Sequence, residues 1–189
     1  MNYFNKPENV EEYIRMAESY DGSEFIPILR KYLADGLSLL ELGMGPGKDL
    51  VLLEKYFKVT GSDYSPVFLK RYKDSHPDAD LLLLHAATIQ TNRKFDAIYS
   101  NKVLIHLTME GLKLSFQRQY EVLKDGGIAF HTFWLGEGEE EYDGLRFVYL
   151  TPETIKPLID ERFEVISPTI YTESEKNDSF FIVLRKTMI

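Results

Sequence analysis

The sequence predicts an open α/β sandwich built on a mostly parallel sheet, and three observations predict it. Short apolar runs recur along the chain between turn residues, as buried strands do. Between them lie segments with apolar residues at helical spacing, and that alternation builds parallel βαβ units. Glycines, acids and polar residues fall just after the runs, and such sheets bind ligands beyond the carboxyl ends of their strands.

Taken in order, Val10, Tyr13, Ile14 and Ala17 recur at helical spacing and predict a helix over about residues 8–19. Ser23 reads as the N-cap of a second helix, with Phe25, Ile28, Leu29, Tyr32 and Leu33 as its stripe and Gly36 near its end. Pro27 falls in the first turn, where a missing N–H costs little. Leu37–Leu42 is the first strand, and Pro46 opens a helix carrying Leu50, Leu52, Leu53 and Tyr56. Val59–Asp63 is the second strand. Ser65-Pro66 is an N-cap followed by a first-turn proline, starting a helix with Phe68, Leu69 and Tyr72. Leu81–Leu84 and Phe95–Ser100 are the third and fourth strands. Leu112, Phe116, Tyr120 and Leu123 line a helix expected to stop at Asp125-Gly126-Gly127, before a fifth strand at Ile128–Trp134. A glutamate-rich loop and a helix near 152–161 follow. Two β-like runs, Phe163–Tyr171 and Phe180–Arg185, come last, joined by a polar turn.

A length of 189 residues suits one domain, read as a helical cap over 1–35 and a core over 36–189. Hydrophobic residues make up 44%, enough for a real core. The net charge of −8 and the lack of a Lys/Arg cluster disfavour nucleic acid and anionic membranes as partners. Without cysteine there are no disulfides, zinc–thiolate sites or thiol nucleophiles, and no metal-ligand spacing is seen. The opening MNYFNKPENVEEY has no apolar signal core, and no run is long enough to span a bilayer. The expected setting is the cytoplasm.

The densest signal is Glu41-Leu42-Gly43-Met44-Gly45-Pro46-Gly47, at a strand-to-helix turn. Glycine there allows positive φ and close approach of a ligand, and the helix start behind it offers free N–H groups. Asp63 ends the next strand, where a carboxylate can accept both hydroxyls of a ribose. The spacing G-x-G-x-G departs from the dinucleotide pattern G-x-G-x-x-G. Glu41, two residues before the first glycine, would repel a pyrophosphate but suits a ligand with an ammonium group. S-adenosylmethionine has an ammonium, a carboxylate, a ribose and an adenine, and no phosphate.

ELGMGPGKD, then GSDYS, KFDAIYSNKVLIHL and LKDGGIAFHTF together resemble the ordered motifs of class I S-adenosylmethionine-dependent methyltransferases. The resemblance covers about residues 37–135. It implies a Rossmann-like, seven-stranded sheet with one antiparallel strand from a C-terminal hairpin, under an N-terminal helical cover. It also implies S-adenosylmethionine as cofactor and assigns roles. Gly43, Gly45 and Gly47 would surround the methionine part, Glu41 would act on its ammonium, and Asp63 would bind the ribose. Tyr64 would pack on adenine or ribose. His85, with Ala86 beside it, stands where many relatives carry an acid toward adenine. Ser100 and Asn101 would border the methyl donor.

Methyl transfer from a sulfonium needs mainly proximity and alignment, so the catalytic list is short. His106, in the loop after the fourth strand, is the candidate general base, with Asn101 beside it. Tyr20 is placed to cover the cofactor from the N-terminal helices. His76 reads as solvated, and His131 faces either the site or the core. The loop Glu137, Glu139, Glu140, Glu141 and Asp143 reads as a solvated charge run, with attraction of a cationic substrate as the functional alternative. Nucleobase amine methyltransferases usually carry Asn/Asp-Pro-Pro-aromatic where this chain has Ser100-Asn101-Lys102-Val103, which favours a small-molecule acceptor at N, O or S. Two rivals stand beside this reading: a nicotinamide-dependent oxidoreductase, and a cofactor-binding protein that serves a partner without catalysis. The oligomeric state is left open.

Overall fold

The structure is a computed structural model that describes residues 3–18, 20, 22–166 and 168–187. Its helices are α1 (Pro7–Met16), α2 (Ile26–Leu29), α3 (Lys48–Leu53), α4 (Pro66–Ser75), α5 (Met109–Val122) and α6 (Pro152–Ile155). Its strands are β1 (Ser38–Leu42), β2 (Lys58–Asp63), β3 (Leu81–Leu83), β4 (Phe95–Asn101), β5 (Leu123–Trp134), β6 (Gly138–Tyr142), β7 (Leu145–Tyr149), β8 (Phe163–Val165), β9 (Thr169–Tyr171) and β10 (Ser179–Lys186). Short 3₁₀ turns lie at Tyr3–Asn5, Ser23–Phe25, Leu104–His106 and Lys156–Leu158.

The main sheet runs β3-β2-β1-β4-β5-β10-β8, with β9 also beside β10. β1 pairs in parallel with both β2 and β4, so the strand order reverses there. That switch point opens a crevice at the carboxyl ends of the strands. β10 runs antiparallel to β5, with Ile182 opposite His131. β8 and β9 pair with opposite ends of β10 and together fill the place of one strand. The expected run Phe163–Tyr171 is therefore broken, and Pro168, with no N–H to donate, lies in the break.

Strand alternation divides the core into two layers. Leu40, Leu42, Ile98, Ala129 and Phe133 pack with Leu112 and Phe116 of α5. Leu39, Ala97, Tyr99, Ile128 and Phe130 face the other way, toward Phe25, Leu29, Leu50 and Leu53. Each fully buried Phe or Leu here contributes roughly 1.5–3 kcal/mol by leaving water.

Five further expectations are corrected. The second helix opens as a 3₁₀ turn with Gly22 in the capping position, so Ser23 lies inside the turn and only Ile26–Leu29 is α-helical. α5 stops at Val122, because Leu123 already pairs with Phe95, and a register shift takes up the residues before Ile128. The helix expected near 152–161 ends after one turn, since Pro157 lacks the N–H to continue it. The acidic loop is a hairpin, β6–β7, whose two-residue turn Asp143-Gly144 has φ +50° and +78°. The tail of the first predicted helix, past Met16, is non-helical, and its Ser19 lies outside the described residues.

A cleft at the switch point of the sheet

Gly43, Gly45 and Gly47 have φ of +68°, +50° and +85°, a region where a side chain is strained. The loop they form is tied to the next strand. Met44 N–H donates to the Ser62 carbonyl at 2.8 Å. Gly45 N–H donates to Oδ2 of Asp63 at 2.9 Å, and Ser65 N–H to Oδ1 at 2.8 Å. Burial pushes the Asp63 carboxyl up, and these backbone donors partly offset it. Gly43 and Gly45 line the cleft. Gly47 lines the outer face of the loop instead, as the left-handed N-cap of α3.

Glu41 is 3% exposed, and its Oε2 has no hydrogen-bond partner among the described residues. Burial first, then the charges of Asp49, Asp63 and Glu54, hold its carboxyl well above the usual range. It lines a small pocket next to the cleft with Tyr13, Tyr20, Gly43, Asp49 and Asn101. A buried acceptor without a donor is costly unless a ligand supplies one, and a ligand ammonium would both bond it and balance its charge.

Asp49 ties this pocket together. It accepts from Gly22 N–H at 2.6 Å, from the Tyr99 hydroxyl at 2.7 Å and from Asn101 Nδ2 at 2.9 Å. Asn101 also donates to the Tyr20 hydroxyl at 3.1 Å, while its Oδ1 accepts from Thr132 at 2.6 Å. The N-terminal cover is thereby bound to the core. Lys48 adds bonds to the carbonyls of Ala17 and Glu18 at the end of α1. Ser65 donates to the Phe4 carbonyl, and the rings of Phe4, Tyr13 and Phe68 cluster above the cleft.

On the cleft's other side, Tyr64 is half exposed and meets His85 edge to face, ring centroids 4.8 Å apart. Ala87 N–H donates to Nδ1 of His85 at 3.1 Å, so the neutral ring carries its proton on Nε2. Burial lowers the pKa of His85 and favours that neutral ring. His106 and Leu145 lie in the same wall as His85 and Ala86. Nδ1 of His106 lies 2.6 Å from the Arg146 carbonyl, which only accepts. That bond puts the proton on Nδ1 and leaves Nε2 as a base.

Among the predicted site residues, Glu41, Gly43, Gly45, Asp63, Tyr64, His85, Ala86, Asn101, His106 and Tyr20 come together around these two connected hollows. Ser100 does not, and its expected place is corrected. It shares the face of Ile98, points to the α5 layer, is fully buried and bonds His131. His131 likewise faces the core, and its burial lowers its pKa to about 3. The sequence reading passed over Tyr13 and Asp49. Asp49 stood within GPGKD, and an acid in the first turn after the glycines was a usable signal. Tyr13 looked like any apolar-stripe residue, yet it lines both hollows, and burial raises its phenol to about 12. Among the described residues, no three His, Asp or Glu gather as a metal site, and no helix is long and apolar enough to cross a membrane.

The family described as methyltransferase domain matches residues 39–127. No curated protein sequence matches the chain. A SAM-dependent methyltransferase from Methanosarcina mazei superimposes with a TM-score of 0.75 at 17% identity, over 86% of this chain and 98% of that one. An S-adenosylmethionine-dependent methyltransferase from Clostridium acetobutylicum gives 0.75 at 15%, over 96% and 98%. The N-methyltransferase NodS from Bradyrhizobium japonicum, in complex with S-adenosyl-L-homocysteine, gives 0.66 at 17%, over 86% and 85%. At these identities the likeness establishes the fold.

Proposed function

We propose that the protein, with its methyltransferase-domain match over residues 39–127 and its fold shared with S-adenosylmethionine-dependent methyltransferases, moves a methyl group from S-adenosylmethionine to a small-molecule acceptor. The observation that carries this reading is the unpartnered, buried Oε2 of Glu41 beside the glycine loop. Glu41 would hold the cofactor's ammonium, the backbone at Gly43 and Gly45 its methionine part, and Asp63 its ribose hydroxyls. Tyr64, His85 and Ala86 would enclose the adenine, and Tyr20 and Asn101 would border the methionine end. When bound, the cofactor supplies a sulfonium methyl group open to in-line displacement. The protein's own contribution is to place the acceptor, exclude water through the N-terminal cover and take a proton.

The experiment is calorimetric titration with S-adenosylmethionine, S-adenosylhomocysteine, NAD and NADH, on the wild type and on Asp63→Ala. The sulfur nucleosides should bind, and Asp63→Ala should weaken them by about tenfold or more. Preference for the dinucleotides would overturn the reading. Binding with no methyl acceptor, alongside a stable partner protein, would make the chain a non-catalytic subunit.

His106 would accept the acceptor's proton on Nε2. Burial lowers its pKa below 6.5, so the base is neutral at pH 7. The acidic limb of kcat should therefore lie below pH 6.5, and His106→Gln should remove it and cost about 100-fold. An amine is the acceptor that the surroundings favour. Glu141 and Asp143 stand exposed on the β6–β7 hairpin, whose β7 supplies Leu145 and the Arg146 carbonyl to the cleft. Lys102, the cation at the cleft, is paired with Glu173 at 2.9 Å. The KM for amines should rise with salt, and a salt-independent KM would remove the hairpin from the proposal.

A further inference from the structure

Four polar side chains cross the apolar layer between the sheet and α5. Ser100 Oγ lies 2.8 Å from Nδ1 of His131, whose Nε2 lies 2.7 Å from Oε1 of Gln119. Gln119 Nε2 donates to Ser115 Oγ at 3.0 Å, and Ser115 donates to the Ala86 carbonyl at 2.7 Å. All four residues are fully buried.

Chemistry allows this chain one direction only. A carbonyl only accepts, so Ser115 gives its proton to Ala86 and takes one from the Gln119 amide. The amide oxygen of Gln119 also only accepts, so His131 carries its proton on Nε2. Nδ1 is then the acceptor for the Ser100 hydroxyl. Burial keeps that imidazole neutral.

The two ends of the chain adjoin two corners of the cleft, at Ala86, which lines it, and at Asn101, which follows Ser100. Ser100 leads into Asn101 and Lys102, and Lys102 has φ +54°. Ala86 leads into Ile89, a β-branched residue at φ +38°, where such a residue is a genuine outlier. Arg118 of α5 holds the same loop through the carbonyls of Thr88, at 3.0 Å, and Ile89, at 3.2 Å. The other two non-glycine residues with positive φ among those described, Asp143 and Asn177, sit in exposed turns. Strain of this kind persists only where the surroundings over-determine it.

We propose that Ser100, His131, Gln119 and Ser115 are positioning residues, a one-way hydrogen-bond relay that holds both strained corners of the cleft in their working places. The relay ties the end of β4, next to Asn101, to the loop after β3, next to His85. The inference rests on the cofactor reading for one of its three readouts, the nucleoside affinity.

Ser115→Ala removes one hydroxyl, and His131→Phe keeps a ring while removing both its bonds. Hydrogen exchange over residues 85–91 should quicken about fivefold in either variant, and S-adenosylhomocysteine should bind about fivefold more weakly. Imidazole nitrogen NMR of the wild type should show His131 protonated on Nε2 from about pH 5 to pH 8. In Ser115→Ala that preference should weaken, because nothing then orients the Gln119 amide. A purely packing role would lower the melting temperature without moving the tautomer. Unchanged exchange, or a proton on Nδ1 in the wild type, would overturn the proposal. If the wild type binds no S-adenosylhomocysteine while exchange and tautomer behave as expected, the cofactor reading falls and the relay stands. Should His131→Phe not fold, Ser115→Ala and the wild-type spectra decide.

Discussion

Glu41→Gln should stabilise the ligand-free protein at pH 8 and weaken its hold on S-adenosylmethionine. Both effects come from one buried atom, the unpartnered Oε2. In the folded protein the Glu41 carboxyl binds its proton more tightly than in the unfolded chain, since its pKa stands well above 4.5. Its contribution to stability is therefore full below about pH 4.5 and is lost as pH rises through the folded value. Above about pH 4.5 folding must either take up a proton at Glu41 or bury its charge without a partner, and either route costs stability that glutamine does not lose. Glutamine keeps the shape and removes the charge, so the melting temperature at pH 8 should rise by about 2–4 °C per kcal/mol recovered. The same change removes the negative charge that would face the ligand's ammonium, and loss of that charge-assisted bond weakens binding by about 10–100-fold. Thermal melting across pH and calorimetric titration read the two effects separately. Equal affinity in wild type and variant would dismiss Glu41 as the ammonium site.

The glycine loop carries the second large effect, and it is graded. A Cβ on Gly43 would lie 2.5 Å and 2.6 Å from the two γ-carbons of Val103, at φ +68°. A Cβ on Gly47, at φ +85°, would run into the ring of Tyr72. On Gly45 the nearest atom is Cε1 of Tyr13 at 3.7 Å, ordinary contact. Gly45→Ala therefore meets only the backbone cost, about 1–2 kcal/mol. Gly43→Ala and Gly47→Ala add overpacking and should lose about 2–5 kcal/mol. The two also differ in what they disturb. Val103 lines the cleft two residues after Asn101, so Gly43→Ala should damage binding beyond its effect on stability. Tyr72 belongs to α4 and the outer face of the loop. Urea denaturation orders the three variants, and an Ala at 45 as costly as one at 43 would show that sterics at Val103 do not govern the loop.

The parts of the fold that were legible in the sequence are those with local causes. The run at Leu37–Leu42 is mostly apolar, and the glycines that follow it have no other use. Ser65-Pro66 announced α4, and the Ser65 hydroxyl does accept from Phe68 N–H, at 3.4 Å. The misses have physical reasons too. EYDGLRF contains Asp-Gly between strand-like residues, a strong signal for a tight hairpin, but the density of glutamates drew the reading toward a loop. Ser100 and Asn101 are neighbours in sequence and opposites in space, because successive strand residues face opposite sides of a sheet. Which side held the cleft was settled by long-range packing of α5 and the N-terminal cover. Gln119 and Ser115 carried no local hint at all, since a polar residue in a helix usually meets water, and here α5 turns both into the core.

β10 enters the sheet between β5 and the pair β8–β9, although it follows both in sequence and is the last strand among the described residues. Until residues through Lys186 have left the ribosome, β5 is an open edge with unpaired backbone groups and an exposed row of apolar side chains. Such edges invite pairing with other chains. A nascent chain stalled after β9 has the glycine loop, Glu41 and Asp63 already synthesised, yet its sheet is unfinished. Emergence of β10, rather than formation of the binding loop, is the moment at which this sheet becomes safe from its neighbours.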